Sequence, residues 1–254
     1  MIDSHCHIND KAFENAEESY INESFANGVN KCLVVGYDIE SSKKAVELAS
    51  RFDSCYAAIG IHPSDSKKFE LKDLKEIKEL GKNDKVIAVG EIGLDYCWDK
   101  EPDIKEKQKE FFIKQIEIAN ELDLPISIHC RDAYSDCLDI LKQYPVKNGG
   151  IMHCYGGSHE MMHEFIKLGF LIGIGGVVTF KNAVKMKEVA KYVPSDKYVL
   201  ETDSPYLAPT PHRGEQNHSK YLYLIKNEIA TLRGVSPEQV EEETNSSFSR
   251  LFNL

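Results

Sequence analysis

The sequence lacks the features that mark membrane, secreted and nucleic-acid-coating proteins. It has no apolar run long enough to span a bilayer and no basic start followed by an apolar stretch, so neither a membrane span nor a secretory signal is predicted. Its seven cysteines are scattered without a C-x-x-C pair, which favours reduced thiols and a cytoplasmic location. The formal net charge of −10 argues against broad adhesion to nucleic acid, although it leaves room for a pocket that holds a few phosphates.

Short apolar runs rich in β-branched residues alternate with longer amphipathic stretches along the whole chain. The predicted strands are 1–7, 31–37, 56–63, 86–93, 125–130, 149–156, 170–178 and 198–206. The predicted helices are 13–27, 41–52, 71–81, 104–123, 133–143, 158–168, 182–192, 219–233 and 237–252. Eight strand–helix units in 254 residues average about 32 residues each, which is typical of an eightfold β/α barrel.

We therefore predict an α/β fold, a (β/α)8 TIM barrel that forms a single domain over residues 1–254. The alternative is an open doubly wound sheet. No glycine-rich nucleotide fingerprint follows the first predicted strand, which argues against that alternative.

Six side chains of metal-binding type fall at or just past the carboxyl ends of predicted strands. They are His5, His7, Glu91, His129, His153 and Asp203. In a β/α barrel these ends meet on one face, where active sites are built. Four imidazoles and two carboxylates suit divalent ions such as zinc or manganese, and they are more than one ion needs. We therefore predict two divalent ions that share a bridging carboxylate.

The pair His5 and His7 fits this prediction, because residues i and i+2 of a strand share a side and Cys6 between them would point away. The alternative is that the two histidines merely end a strand. For Glu91 the alternative is a salt bridge to a lysine or arginine. Glu201 lies two residues before Asp203 on the same side, so one of the two is a candidate to support a ligand without binding metal itself.

Several short motifs appear in a characteristic order. They are "DSHCH", "GIHP", "GEIGLDY", "IHCRDA", "HCYGG" and "ETDSPYLAP". With "PHRGEQN" and "NSSFSRLF" further on, the sequence resembles the TatD family of metal-dependent deoxyribonucleases, within the wider group of amidohydrolase-like barrels. The departures are small: Cys130 stands where that family usually has serine, and "HCYGGS" stands where it usually has "HCFSGS". Neither change removes a predicted ligand.

The resemblance implies a first metal on His5, His7 and Asp203, and a second metal on His129 and His153, with Glu91 bridging. It also implies a deoxyribonuclease that uses Mg, Mn or Zn to activate water, digests from the 3′ end and prefers single strands. Glu91 and Asp203 are then the catalytic residues, with Asp203 accepting a proton from the water. The expected partner is single-stranded DNA ends, with RNA as a second possible substrate, and we expect a monomer.

Three further residues are candidates for substrate binding by phosphate contact. They are His62, Arg131 and Arg213, and the alternatives are a capped core histidine and two surface ion pairs. Tyr96 and Trp98 follow the fourth predicted strand, where they either stack on a base or pack as a lid.

Two other signals are interpreted as structural. "HEMMH" at 159–163 matches the zinc-protease helix signature, but the apolar stripe of that helix should face the strands, so we expect a chance match. Cys6, Cys130 and Cys154 each follow or precede a predicted histidine ligand. Strand alternation predicts that they point to the helix layer and bind no metal.

Two other functions stay open on sequence grounds. The same metals on the same barrel can hydrolyse a small ester, an amide or an acyl-tRNA, because the fold does not choose phosphorus over carbon. A catalytically inactive barrel that binds a partner is the other alternative, and the complete set of six ligand-type residues argues against it.

Overall fold

The computed structural model describes all 254 residues and contains eight strands and nine α-helices. The strands are β1 Ile2–Cys6, β2 Lys31–Val35, β3 Cys55–Ile59, β4 Val86–Asp95, β5 Ile126–Arg131, β6 Gly150–Met152, β7 Phe170–Ile174 and β8 Tyr198–Leu200. The helices are α1 Glu17–Ala26, α2 Ile39–Arg51, α3 Leu74–Leu80, α4 Pro102–Leu122, α5 Tyr134–Gln143, α6 His159–Lys167, α7 Val184–Tyr192, α8 Leu222–Arg233 and α9 Pro237–Phe252. None of the helices combines the length and apolar character needed to cross a membrane.

The strands form one parallel sheet in the order β1 to β8, each paired with the next in sequence. The residues after β8 return to β1: Asp203 donates a backbone hydrogen bond to His5 at 2.9 Å, and His7 donates one to Ser204 at 2.8 Å. These bonds bring the two ends of the sheet together, and helices follow the strands around it. The predicted (β/α)8 TIM barrel is therefore confirmed.

The core has two layers because successive strand residues point to opposite faces of the sheet. In β2, Cys32 and Val34 belong to the large apolar cluster between strands and helices, whereas Leu33 and Val35 belong to a smaller cluster. The smaller cluster, which also contains Phe248, lies inside the barrel, and α9 covers the end of the barrel opposite the carboxyl ends of the strands.

None of the eight strands ends at the predicted residue, and three of these differences affect the site. β4 extends to Asp95, two residues beyond the predicted end. In contrast, β6 stops at Met152 and β8 at Leu200, so His153 and Asp203 stand on the loops just beyond the strands. Asp203 has a φ of 57°, a left-handed conformation that no regular strand contains. These loop conformations decide where the side chains of the site point.

Candidate metal centre

Four donor atoms converge where β1 meets the loop after β8. The Nε2 atoms of His5 and His7 are 3.3 Å apart. Glu91 Oε2 lies 3.6 Å from the first and 3.7 Å from the second. Asp203 Oδ1 lies 3.9 Å from His5 Nε2 and 3.4 Å from His7 Nε2. The structure thus brings together the residues predicted for a first metal.

The other carboxylate oxygen of Glu91 faces a second group of imidazoles. Glu91 Oε1 lies 2.9 Å from His129 Nδ1, 3.8 Å from His153 Nε2 and 3.6 Å from His62 Nε2. His153 Nε2 is also 3.5 Å from Asp203 Oδ1, so the two groups adjoin. Glu91 therefore stands between two sets of nitrogen donors, one on each oxygen.

The separations around His5 and His7 fit a divalent metal better than they fit direct hydrogen bonding. Ligands at 2.0–2.2 Å from a tetrahedral ion stand about 3.3–3.6 Å from one another. Donor pairs around His5 and His7 are 3.3–3.9 Å apart, mostly beyond the 2.7–3.2 Å of a hydrogen bond. Burial supports the same interpretation, because His5, His7, Glu91 and His153 are buried, and buried charged groups need partners.

Three of the histidines are oriented as metal-binding histidines usually are. His7 Nδ1 donates to the carbonyl oxygen of Val35 at 2.8 Å, because a carbonyl only accepts, and this leaves the Nε2 lone pair facing the site. His153 Nδ1 lies 3.2 Å from Glu201 Oε1, and His5 Nδ1 lies 3.4 Å from Ser127 Oγ. All three residues thus present Nε2 to the centre.

His129 and His62 differ from that pattern in informative ways. His129 faces Glu91 with Nδ1, while its Nε2 lies 2.9 Å from Asp95 Oδ2. His62 Nδ1 accepts a hydrogen bond from the Ser64 amide, so neutral His62 carries its proton on Nε2 and is a donor toward the site. Burial, with His129 close by, lowers the pKa of His62 to about 3, which keeps it neutral.

The carboxylates control the charge of the remaining imidazoles in the metal-free protein. Burial alone would lower the pKa of His153, but Glu201 and Asp203 outweigh it and raise this pKa to about 10. Burial opposes the charge of His129 in the same way, yet Asp95 and Glu91 raise its pKa to about 9. These two imidazoles therefore hold protons that a metal would displace.

Asp95 and Glu201 contact two of the predicted ligands, His129 and His153. Asp95 ends β4, four residues after Glu91, so period-two alternation along "GEIGLDY" could have identified it. Glu201 is fully buried, and its Oε1 accepts the Cys154 amide at 2.5 Å. A Cβ at Gly173 would collide with the Glu201 carboxylate, so glycine makes the room that this side chain occupies.

The prediction that cysteines point away from the site holds for Cys6 and is wrong for Cys154. Cys6 Sγ donates to the carbonyl of Leu33 and belongs to the outer core. Cys130 belongs to that core too and also reaches the cavity wall. Cys154 has a φ of 43° beyond the end of β6, and its sulfur lies within 4.8 Å of donor atoms of His153 and Glu201. Strand alternation fails there because the strand has ended.

The predicted phosphate-binding residues occupy different positions. A cavity of about 810 Å³ lies over the metal centre, and both His62 and Arg131 line it. The Arg131 guanidinium lies 5.5 Å from the centroid of Trp98, which is 72% exposed. Arg213 is not part of the cavity lining and lies over Phe180 at 4.4 Å.

Tyr96, by contrast with Trp98, is held in place by a specific contact: its hydroxyl donates to Asp136 at 2.9 Å, as expected of a packed lid.

The "HEMMH" histidines lie outside the cavity. His159 and His163 approach each other at 3.2 Å between Nε2 atoms, but no third histidine, cysteine, aspartate or glutamate donor joins them. The zinc-protease interpretation therefore lacks its third ligand.

Comparison with known proteins places the whole chain among relatives of one kind. A family model described as TatD related DNase matches residues 2–253. The chain is 43% identical over 255 residues to the metal-dependent hydrolase YabD of Bacillus subtilis (strain 168), covering 100% of this chain and 99% of the relative. It is 31% identical over 260 residues to the 3'-5' ssDNA/RNA exonuclease TatD of Escherichia fergusonii, covering 100% and 99%. The crystal structure of YjjV, a TatD homologue from Escherichia coli K12, superposes with a TM-score of 0.95 at 29% identity, covering 100% and 98%.

Proposed function

Because the chain belongs to the TatD-related DNase family and is thus a metal-dependent hydrolase, we propose that it hydrolyses phosphodiester bonds at the 3′ ends of single-stranded DNA. RNA is the second substrate to consider, since one relative is named as an exonuclease for both. The observation that carries the proposal is the position of Glu91, with one carboxylate oxygen toward His5 and His7 and the other toward His129 and His153.

We assign His5, His7 and Asp203 to one ion and His129 and His153 to a second, with Glu91 shared. The ions are Mg, Mn or Zn. Two such ions would lower the pKa of a bound water and would stabilise the attacking and leaving oxygens of a phosphodiester. The chain's own task is then to hold donors, accept a proton and position the phosphate.

Asp203 is the proposed proton acceptor. Its side chain is 15% exposed, against 6% for Glu91, so it is the more open of the two carboxylates to water in the cavity. Burial would raise the pKa of Asp203, but His153 and His7 outweigh it and lower this pKa, which keeps the carboxylate ionised. An ionised, partly open carboxylate beside the reacting phosphorus is the arrangement that general base catalysis needs.

The proposed step is a simple hydrolysis. The water oxygen forms a bond to phosphorus while Asp203 takes one of its protons. The bond between phosphorus and O3′ of the preceding nucleotide breaks, and that oxygen takes up the proton that Asp203 accepted and leaves as a free 3′ hydroxyl. The products are a nucleoside 5′-monophosphate and a strand that is one nucleotide shorter.

The phosphate is positioned by groups that remain neutral or unpaired near the metal centre. His62 presents an Nε2 hydrogen to the site, as its Ser64 contact requires. Arg131 makes no ion pair, and its guanidinium is available at the cavity wall. Arg213 lies farther out, where we propose that it contacts a phosphate of the trailing strand.

The test is a metal-replete assay against single-stranded DNA, duplex DNA, RNA and an acyl-tRNA, with Glu91→Ala as the inactive control. Glu188→Ala is the matched control, because Glu188 is an exposed carboxylate without a salt bridge or side-chain hydrogen bond. We expect mononucleotide release from single strands by the wild type and by the Glu188 variant only. Hydrolysis of acyl-tRNA alone would overturn the assignment to phosphodiesters.

A further inference from the structure

The cavity over the metal centre is one-sided. From the metal-binding side chains it extends toward the loops that follow β5, β6, β7 and β8, and no residue between Glu91 and His129 lines it. The wall on that side carries few charges: Arg131 and Lys185 are its only cations and Asp132 its only carboxylate beyond the metal centre. A pocket built mainly for several phosphates would need more positive charge than this.

One wall of the cavity, built from the loops after β7 and β8 and the start of α7, is apolar and partly exposed. We call this surface the apolar wall, and its members are Val177, Ala183, Val184, Met186, Tyr206 and Leu207. Val184 is 73% exposed, Tyr206 52% and Leu207 40%, so three of the eight most exposed large apolar side chains of the protein line one cavity. Exposed apolar surface concentrated in one place marks a binding site more often than chance.

Polar groups border the apolar wall on one side. The Asn182 side chain is exposed and makes no hydrogen bond, so its amide can both donate and accept. Lys185 follows Val184 on α7 and forms no ion pair. An apolar surface with a free amide and a free cation at its margin suits a flat ligand that has apolar faces and hydrogen-bonding edges.

We propose that the apolar wall binds the base of the 3′-terminal nucleotide, with the adjoining phosphate over the metal centre. This inference rests on the proposed nuclease function and names the part of the substrate that contacts the apolar wall. A nucleobase has the faces and edges described above, and contacts to its face are tolerant of sequence. The apolar wall and the metal centre line the same cavity. The base and the phosphate of one terminal nucleotide can therefore contact the wall and the metal centre at the same time.

The first experiment compares two single-stranded oligonucleotides that differ only at the 3′ end, one with a natural nucleotide and one with an abasic tetrahydrofuran residue. The metal-loaded wild type should remove the natural residue with a kcat/KM about 5- to 150-fold higher, the range expected for loss of one stacked base. Equal rates would overturn the base-binding role and leave the nuclease assignment intact. Failure to cut either oligonucleotide would overturn both.

The second experiment changes the wall itself. Val184→Ser with Leu207→Asn makes the wall polar while suiting the backbone, since Val184 opens α7 and Leu207 has a φ of 54°, where asparagine is favoured over leucine. Tyr192→Ser is the matched control, an exposed apolar residue at the other end of α7 and outside the cavity. The preference for the natural end should fall toward one in the double variant and persist in the control.

A binding measurement separates the base from the sugar phosphate. Deoxyadenosine 5′-monophosphate and deoxyribose 5-phosphate are compared as competitive inhibitors of the wild type. The nucleotide should inhibit more strongly, and the difference should disappear in the Val184→Ser, Leu207→Asn variant. Equal inhibition by both compounds in the wild type would contradict the proposal even if the double variant fails to fold.

Discussion

Replacing Glu201 by glutamine removes one buried charge with little change of shape. Glu201 Oε1 lies 3.2 Å from His153 Nδ1 and accepts the Cys154 amide. Oε2 has no hydrogen-bond partner, although it is buried. In the Glu201→Gln variant the negative charge beside His153 Nδ1 is lost, and the buried Oε2 position becomes an amide NH2 that has no acceptor in place, so the contact that holds the His153 ring is weakened.

The expected loss of metal affinity follows from the effect of similar carboxylates in other metal sites. Loss of an outer carboxylate that orients a metal-binding histidine typically costs about 10- to 100-fold in metal affinity, or roughly 1.4–2.7 kcal/mol. Glu201 is the charge that contributes most to raising the pKa of His153 to about 10, so this pKa should fall in the variant. The easier deprotonation of His153 offsets part of the loss at pH 7, because the metal then has less proton competition to overcome. The expected loss therefore refers to the metal affinity after correction for the protons released.

The assay is metal titration by calorimetry, with ¹⁵N-resolved titration of the His153 ring in metal-free protein. Glu188→Gln is the control, because Glu188 is an exposed carboxylate with no salt bridge or side-chain hydrogen bond. Gly173→Ala is a second route to the same defect, since its Cβ would displace the Glu201 carboxylate. A folded Glu201→Gln protein with wild-type metal affinity and an unchanged His153 pKa would refute the reasoning.

Four further outcomes are expected. Glu91→Ala should lose the second metal and nearly all activity, because the two oxygens of Glu91 face the two donor sets; two retained ions by mass spectrometry would contradict a bridging role. His159→Ala with His163→Ala should keep wild-type activity and the metal content of the barrel site, since no third donor joins that pair; loss of an ion from the barrel site would show that the helix motif matters. Metal binding at pH 7 should release protons from His129 and His153, whose pKa values are about 9 and about 10 in the metal-free protein, so affinity should fall as pH decreases, by about tenfold per pH unit for each proton. Calorimetry in two buffers of different ionisation enthalpy counts the protons released, and a count of zero would contradict this prediction. Two or three phosphate contacts should give a salt slope of log affinity of about −1.4 to −2.1 for single strands, and a much steeper slope would require an extended groove.

Much of the fold and the position of the site follow from features that are local in sequence. Each strand is a short apolar run, and in a parallel barrel every such run ends on the same face. His5, Glu91 and His129 could therefore be grouped without knowing any loop, because their strands carry them to that face. The roles of these side chains as metal ligands stay a prediction until metal is measured.

Other parts of the site depend on loop backbone, which the strand pattern does not describe. His153 stands one residue beyond β6 and Asp203 three residues beyond β8, the latter with a left-handed backbone. The alternation of side chains along a strand gives no direction for residues beyond the end of that strand. In addition, a residue other than glycine rarely adopts the left-handed backbone found at Asp203. The hydrogen bond from the Asp203 amide to the His5 carbonyl stabilises this turn, and it can form only when the two ends of the barrel meet.

The wrong orientation predicted for Cys154 and the incomplete account of Glu201 have a single cause. Because Cys154 turns to a φ of 43°, its amide donates into the barrel to Glu201, and its sulfur turns inward with it. The same contact holds Glu201 against His153, in the space that Gly173 leaves free. A backbone turn, a buried carboxylate and a missing Cβ thus depend on one another across three separate strands. None of the three is visible as a pattern within its own stretch of sequence. This is why His153 could be predicted as a ligand from the sequence, whereas Glu201, the group that contacts its ring, could not be distinguished from Asp203.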